Sequence, residues 1–181
     1  MIKLFRFIFI GKTNMTKIAI KEFDSQSPEH HAVWKRLGLQ WLQGYQHSSG
    51  IIPELLEDSD FITLDYPVEN IIQPGGQIWF AELNVDEKTY IVGTIGLMPH
   101  HGEWEVIKLA VQPKYQGKGI GKELIKTVIN HAREKGINRL VLDSNSHLIS
   151  AISLYESFGF QRIPTRGHFA TADVAMELYL N

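Results

Sequence analysis

Residues Glu105–Lys122 read EVIKLAVQPKYQGKGIGK, and two unlike halves meet in that stretch. Glu105 to Val111 is mostly apolar and rich in β-branched residues, the make-up of a buried strand. Alternation along a regular strand would place Glu105, Ile107, Leu109 and Val111 on one face. Gln112 to Lys122 then carries Pro113 and glycines at 117, 119 and 121. Those residues end the strand, bare the backbone N–H groups and admit positive φ. A helix is expected from Gly121 to Lys135, so the bared N–H groups converge on the positive end of a helix dipole. A phosphate or pyrophosphate suits such a place. Lys114, Lys118 and Lys122 surround it with positive charge.

Two familiar phosphate loops do not fit. A Walker A loop needs glycine where Gln116 stands and Ser or Thr where Glu123 stands. A dinucleotide fingerprint opening at Gly117 needs its third glycine at Lys122. Upstream, Gln77–Leu83, Tyr90–Met98 and Glu103–Val111 read as strands joined by polar turns at Asn84–Lys88 and His100–Gly102, an antiparallel meander. Downstream the rhythm is strand at Arg139–Asp143, helix at Ser150–Phe158 and final strands near Phe160 and over Asp173–Leu180. A meander feeding a βαβ crossover gives an α/β fold with a mixed sheet. Nearer the start, Thr16–Phe23 alternates as a strand. Ser27-Pro28 opens a helix with apolar Val33, Leu37 and Trp41 on one stripe. Pro53 opens a shorter, acid-rich helical stretch, and Pro74-Gly75-Gly76 breaks the chain.

The chain has 181 residues, enough for one core, and no cysteine, which removes disulfide scaffolds and thiolate chemistry and fits a reducing cytoplasm. Charge is unevenly spread. Leu37 to Glu87 holds nine acids and no Lys or Arg, whereas Lys108 to Arg139 holds eight bases against Glu123 and Glu134. One surface therefore suits an anion and another a cation, although two solvated faces would look the same. Met1–Ile10 is apolar but is interrupted by Arg6 and is too short to span a bilayer. Residues 1–15 are expected to be a dispensable extension, with Met15 as a possible start and one domain over 16–181. No nucleic-acid or membrane partner is indicated.

Gln116-x-x-Gly119-x-Gly121 resembles the Gln/Arg-x-x-Gly-x-Gly/Ala signature of the GNAT superfamily of acyl-CoA-dependent N-acyltransferases. Leu109-Ala110-Val111 before it and Leu154-Tyr155-x-x-Phe158-Gly159-Phe160 after it match in order and separation. The resemblance covers residues 77–163 and implies a sheet of about seven strands and about four helices. In that arrangement the two central parallel strands, here 103–111 and 139–143, splay apart. It implies acetyl-CoA as co-substrate, held at its pyrophosphate by Gln116, Gly117, Lys118, Gly119, Ile120, Gly121 and Lys122. Its pantetheine arm would lie along Leu109, Ala110 and Val111, with Asn145 beside it. Homodimers are frequent in the family.

Acetyl transfer needs a neutral amine, and an alkyl amine titrates at about 10.4, so a base must take its proton. By the resemblance Glu105 is the candidate base, with Glu103 as competitor and exposure at a strand entry as the ordinary alternative. Tyr155 is the candidate acid for the departing thiolate, its ordinary alternative being a core aromatic. The acid-rich segment 37–76 would cover the acceptor, so a cationic small molecule or peptide amine is expected. A non-catalytic acetyl-CoA-binding module and a general phosphate-binding domain are the rival readings. Histidines fall in the pairs His30-His31 and His100-His101, without metal-ligand spacing, and His100 and His101 are expected to be solvated in their turn.

Overall fold

In the computed structural model, residues 6–9, 15–40, 58–85, 87–165 and 172–180 are described. The expected strands and helices are present: β2 (Met15–Glu22), β3 (Gln77–Val85), β4 (Lys88–His100), β5 (Glu103–Val111), β6 (Arg139–Ser144), β7 (Gln161–Ile163) and β8 (Val174–Tyr179). A further strand, β1 (Arg6–Phe9), pairs antiparallel with β2, giving an eight-stranded sheet in the order β1-β2-β3-β4-β5-β6-β8-β7. All described neighbours are antiparallel except β5 and β6.

The described helices are α1 (Pro28–Gly38), α2 (Asp58–Asp65), α3 (Ile120–Glu134) and α4 (Ile149–Ser157), with a π-helical turn at Val68–Ile72. Ser27 caps α1, its hydroxyl accepting the His30 N–H at 3.3 Å. Val33, Trp34, Leu37 and Gly38 form the buried stripe of that helix; Trp41 and Pro53 lie outside the described residues. None of the described helices is long and apolar enough to cross a membrane.

Strand alternation divides the core between the two sides of the sheet. Trp79 and Ala81 join Leu124, Ile125 and Val128 of α3 on one side. Ile78 and Phe80 join Trp34, Leu37, Leu64 and Ile71 on the other. Helices on both faces make three layers, with the sheet in the middle.

The strand β5 departs from simple alternation. Gly96 pairs with Ile107 but Thr94 pairs with Ala110, so Lys108 and Leu109 stand opposite Ile95 alone. This is a bulge, and Lys108 takes φ 50 within it. The extra residue reverses the faces beyond it. Ile107 and Ala110 pack toward α1, whereas Leu109 and Val111 pack with Val106 on the α3 side. Glu105, Ile107, Leu109 and Val111 therefore do not share a face, contrary to strict alternation. The parallel contact lies before the bulge and is brief: β5 and β6 register, among the described residues, only at Glu105 opposite Val141. The two central parallel strands are splayed, as expected.

Candidate active site

The glycine loop follows β5 through a 3-10 turn at Pro113–Tyr115. Tyr115 is buried at 5% exposure and anchors the loop in the core, with the Lys114 and Lys118 ammonium groups 5.0 and 5.5 Å from its ring centre. Gly117 and Gly119 stand at φ 71 and φ 81, and a Cβ on either would meet nothing within 4 Å. Gly119 is the N-cap of α3 and gives it no side-chain cap. The first N–H groups of a helix have no partner within it, so these are available to a ligand. Gly121 differs from its neighbours. Its φ is not positive; a Cβ there would come within 2.9 Å of Leu154, so the third glycine permits close approach of α3 and α4.

A cavity of about 360 Å³ lies beside the splay. Ile62 and Thr63 of α2 wall one side, and Leu148, Ala151 and Tyr155 wall the other. Five successive residues of β5, Glu105 to Leu109, run along it, with Asp143, Ser144 and Asn145 facing them from the end of β6. Glu105, Leu109, Asn145 and Tyr155 therefore meet in one place. Ala110, Val111 and residues 116–122 are not in its lining.

The geometry distinguishes the two glutamates. Glu105 lines the cavity at 2% exposure. Glu103 instead accepts a hydrogen bond from Arg139 Nη1 at 2.5 Å, while Arg139 Nε donates to Glu177 at 2.8 Å. That ion-pair network holds Glu103 outside the cavity lining.

His100 is the residue that motif reading missed. Its Nδ1 lies 2.7 Å from Glu105 Oε2, its side chain is 29% exposed, and it lines the cavity. It is thus a partner of Glu105 and not a solvated turn residue. The hairpin pattern held the signal. With His101 and Gly102 as the turn, Met98 faces Glu105 and His100 becomes its diagonal neighbour.

Tyr155 is 7% exposed and stacks at a tilt on Phe160, ring centres 5.7 Å apart. Burial raises its pKa above the ordinary phenol value, so the hydroxyl stays protonated. Asn145 is buried, and its Oδ1 accepts the His147 N–H at 3.0 Å, which shapes the loop after β6. Ser146 donates from both N–H and hydroxyl to Asp173, each at 2.6 Å, tying that loop to β8. These bonds hold the Asp173 carboxyl below its usual range. Val111 offers less than expected: its carbonyl already accepts the side-chain amides of Gln40 and Gln116, both at 2.9 Å.

A model of the acetyltransferase (GNAT) family matches residues 39–160, which contain the loop, the splay and the cavity's named groups. This chain belongs to that family. It is similar to human N-acetyltransferase 8B, at 33% identity over 114 residues covering 60% of this chain and 47% of that one. A GNAT-family acetyltransferase from Staphylococcus aureus Mu50 superposes with TM-score 0.70 at 25% identity, covering 91% of this chain and 99% of that one. The PaiA N-acetyltransferase of Thermoplasma acidophilum, solved with coenzyme A, shares the fold at TM-score 0.67 and 21% identity, covering 90% and 99%. The chain spans about half the length of the curated relatives it matches.

Proposed function

We propose that this chain transfers the acetyl group of acetyl-CoA directly to a primary amine, both substrates being bound together. The observation that carries this reading is the Glu105 carboxylate, 2% exposed, in a cavity at the splay and opposite a buried phenol from α4. A buried carboxylate with a cavity in front of it is placed to take a proton, not to solvate a surface. Family membership and a fold relative solved with coenzyme A support the co-substrate.

The chain's own groups fit that co-substrate. Two open left-handed glycines and the uncapped start of α3 receive a pyrophosphate, aided by Lys114, Lys118 and Lys122. Leu109 brings its backbone to the thioester, where an N–H would steady the developing oxyanion. Glu105, directly or through one water, takes a proton from the amine. The nitrogen then attacks the carbonyl carbon, the carbon–sulfur bond breaks, Tyr155 protonates the departing sulfur, and the phenolate so formed takes the second proton from the acetylated nitrogen.

The acceptor is proposed to be cationic because residues 37–76 carry no Lys or Arg. Part of that segment, in α2 and the π turn, contributes Ile62, Thr63 and Asn70 to the cavity. The lack of cysteine supports a cytoplasmic site.

Thiol-detected CoA release with spermidine, glucosamine and a lysine peptide, set beside amines of neutral or negative net charge such as glycine and glutamate, tests the reading. Glu105→Gln is expected to lower kcat by about 10²–10⁴-fold. Tyr155→Phe should lower kcat with little change in the KM for acetyl-CoA. Unchanged turnover in Glu105→Gln would remove the base. Release with neutral or acidic amines alone would remove the cationic acceptor. CoA binding without release from any amine would leave a binding module in place of an enzyme.

A further inference from the structure

The hairpin between β4 and β5 builds a pair that the roles above leave unassigned. His101 at φ 50 and Gly102 at φ 79 make a two-residue turn, setting His100 opposite Glu103 and Met98 opposite Glu105. Positive φ at both central residues is the geometry that matches strand twist in short hairpins. The turn therefore determines which carboxylate the imidazole reaches. Glu103, directly across, is taken by Arg139 at 2.5 Å. Glu105, on the diagonal, meets His100 Nδ1 at 2.7 Å. One end of this pair is buried at 2% exposure and the other reaches the rim at 29%.

We propose that His100 is a positioning residue for acetyl transfer: its Nδ1–H holds one oxygen of Glu105 so that the carboxylate faces the incoming amine. The inference rests on the transfer reading given above. A free glutamate side chain has rotamers to spare, and a base must sit within about 2.6–3.2 Å of the proton it takes. A neutral imidazole is well suited to hold it. Its Nδ1–H gives one hydrogen bond that fixes which way the carboxylate points.

The charged and titratable groups around His100 are identifiable among the described residues. The His101 ring lies 4.1 Å away, centre to centre, and Glu103 and Glu105 face it from β5. Lys108, Asp143 and Tyr155 complete the set on the cavity wall. The residues that α2 and the π turn contribute there, Ile62, Thr63 and Asn70, do not titrate.

His100→Ala and His100→Asn test the proposal, with CoA release read against spermidine, glucosamine and a lysine peptide. Asparagine can place an amide N–H where Nδ1–H stood, and it does not titrate. His100→Ala is expected to lower kcat about 10- to 100-fold, the range for losing one hydrogen bond to a charged group, with the KM for acetyl-CoA unchanged. His100→Asn should recover most of that loss. Wild-type kcat in His100→Ala, or an Asn variant as poor as the Ala variant, would overturn the inference while leaving the transfer reading intact. A wild-type protein that releases CoA with none of the three amines would overturn both. Nitrogen-15 spectra of the histidines in the whole wild-type protein give a check that survives an unstable variant. A proton on Nδ1 of His100 at neutral pH is expected, and a neutral ring protonated only on Nε2 would refute the proposal.

Discussion

Gly119 stands at φ 81 as the N-cap of α3, and a Cβ added there would meet nothing within 4 Å. Alanine at this position is therefore opposed by backbone conformation and not by a clash. The left-handed conformation costs an L-residue roughly 1–2 kcal/mol. Gly119→Ala should lower unfolding free energy by about that amount and weaken CoA binding, because the loop escapes strain by turning its N–H groups away. Urea denaturation and CoA titration calorimetry measure the two effects. Gly121 shows a different use of the same residue, since its missing Cβ makes room for Leu154 Cδ2 at 2.9 Å. A leucine terminus can swing aside, so alanine there is easier to accommodate than alanine at Gly119.

Among the elements, β5 and α3 show how the sheet directs chemistry. The bulge at Lys108 lets β5 present Glu105 to the cavity, then turn Leu109 and Val111 toward α3. Within α3, His131 packs edge-on against Trp79, ring centres 4.9 Å apart at 72°. Burial, joined by the charge of Lys135, pushes the His131 pKa below its ordinary 6.5, with Glu22 and Glu134 opposing weakly. The unfolded chain therefore binds this proton more readily than the folded one. Stability from this group is complete above the unfolded value and is lost as pH falls from there through the lower folded value. Urea midpoints should drop as pH falls below the ordinary 6.5 of the unfolded histidine, and His131→Gln should make that drop shallower. An equal drop in the variant would place the acid sensitivity elsewhere.

On the scale of the whole molecule, the sheet's outermost strand tests what the domain needs. β1 occupies one end of the strand order and, among the described residues, pairs only with β2. A chain begun at Met15 retains every other ladder. We therefore expect it to fold with a thermal midpoint within about 4 °C of the full chain and to keep its acetyl-transfer rate. Uncovering β2 also exposes an edge, and edges invite pairing between molecules. Light scattering alongside the thermal melt would reveal it. Aggregation or lost activity in that chain would make β1 part of the working domain.

Much of this architecture was legible in the letters because it depends on neighbours in the chain. Alternation marked the meander, Ser27-Pro28 marked the start of α1, and the spacing of Gly117, Gly119 and Gly121 marked a glycine loop ahead of a helix. The matching segments around that loop also pointed to the family. The assignment of the site's side chains was not written there. Glu103 and Glu105 are the same residue two positions apart, and tertiary partners tell them apart: Arg139, 36 residues away along the chain, holds Glu103, whereas Glu105 lines the cavity beside His100. Likewise, His100 reaches Glu105 because of a turn and a register, and the face carrying Leu109 depends on the bulge opposite Ile95. Local sterics dictate which elements form. Strand register dictates which side chains meet, and a shift of one residue exchanges the two faces of a sheet.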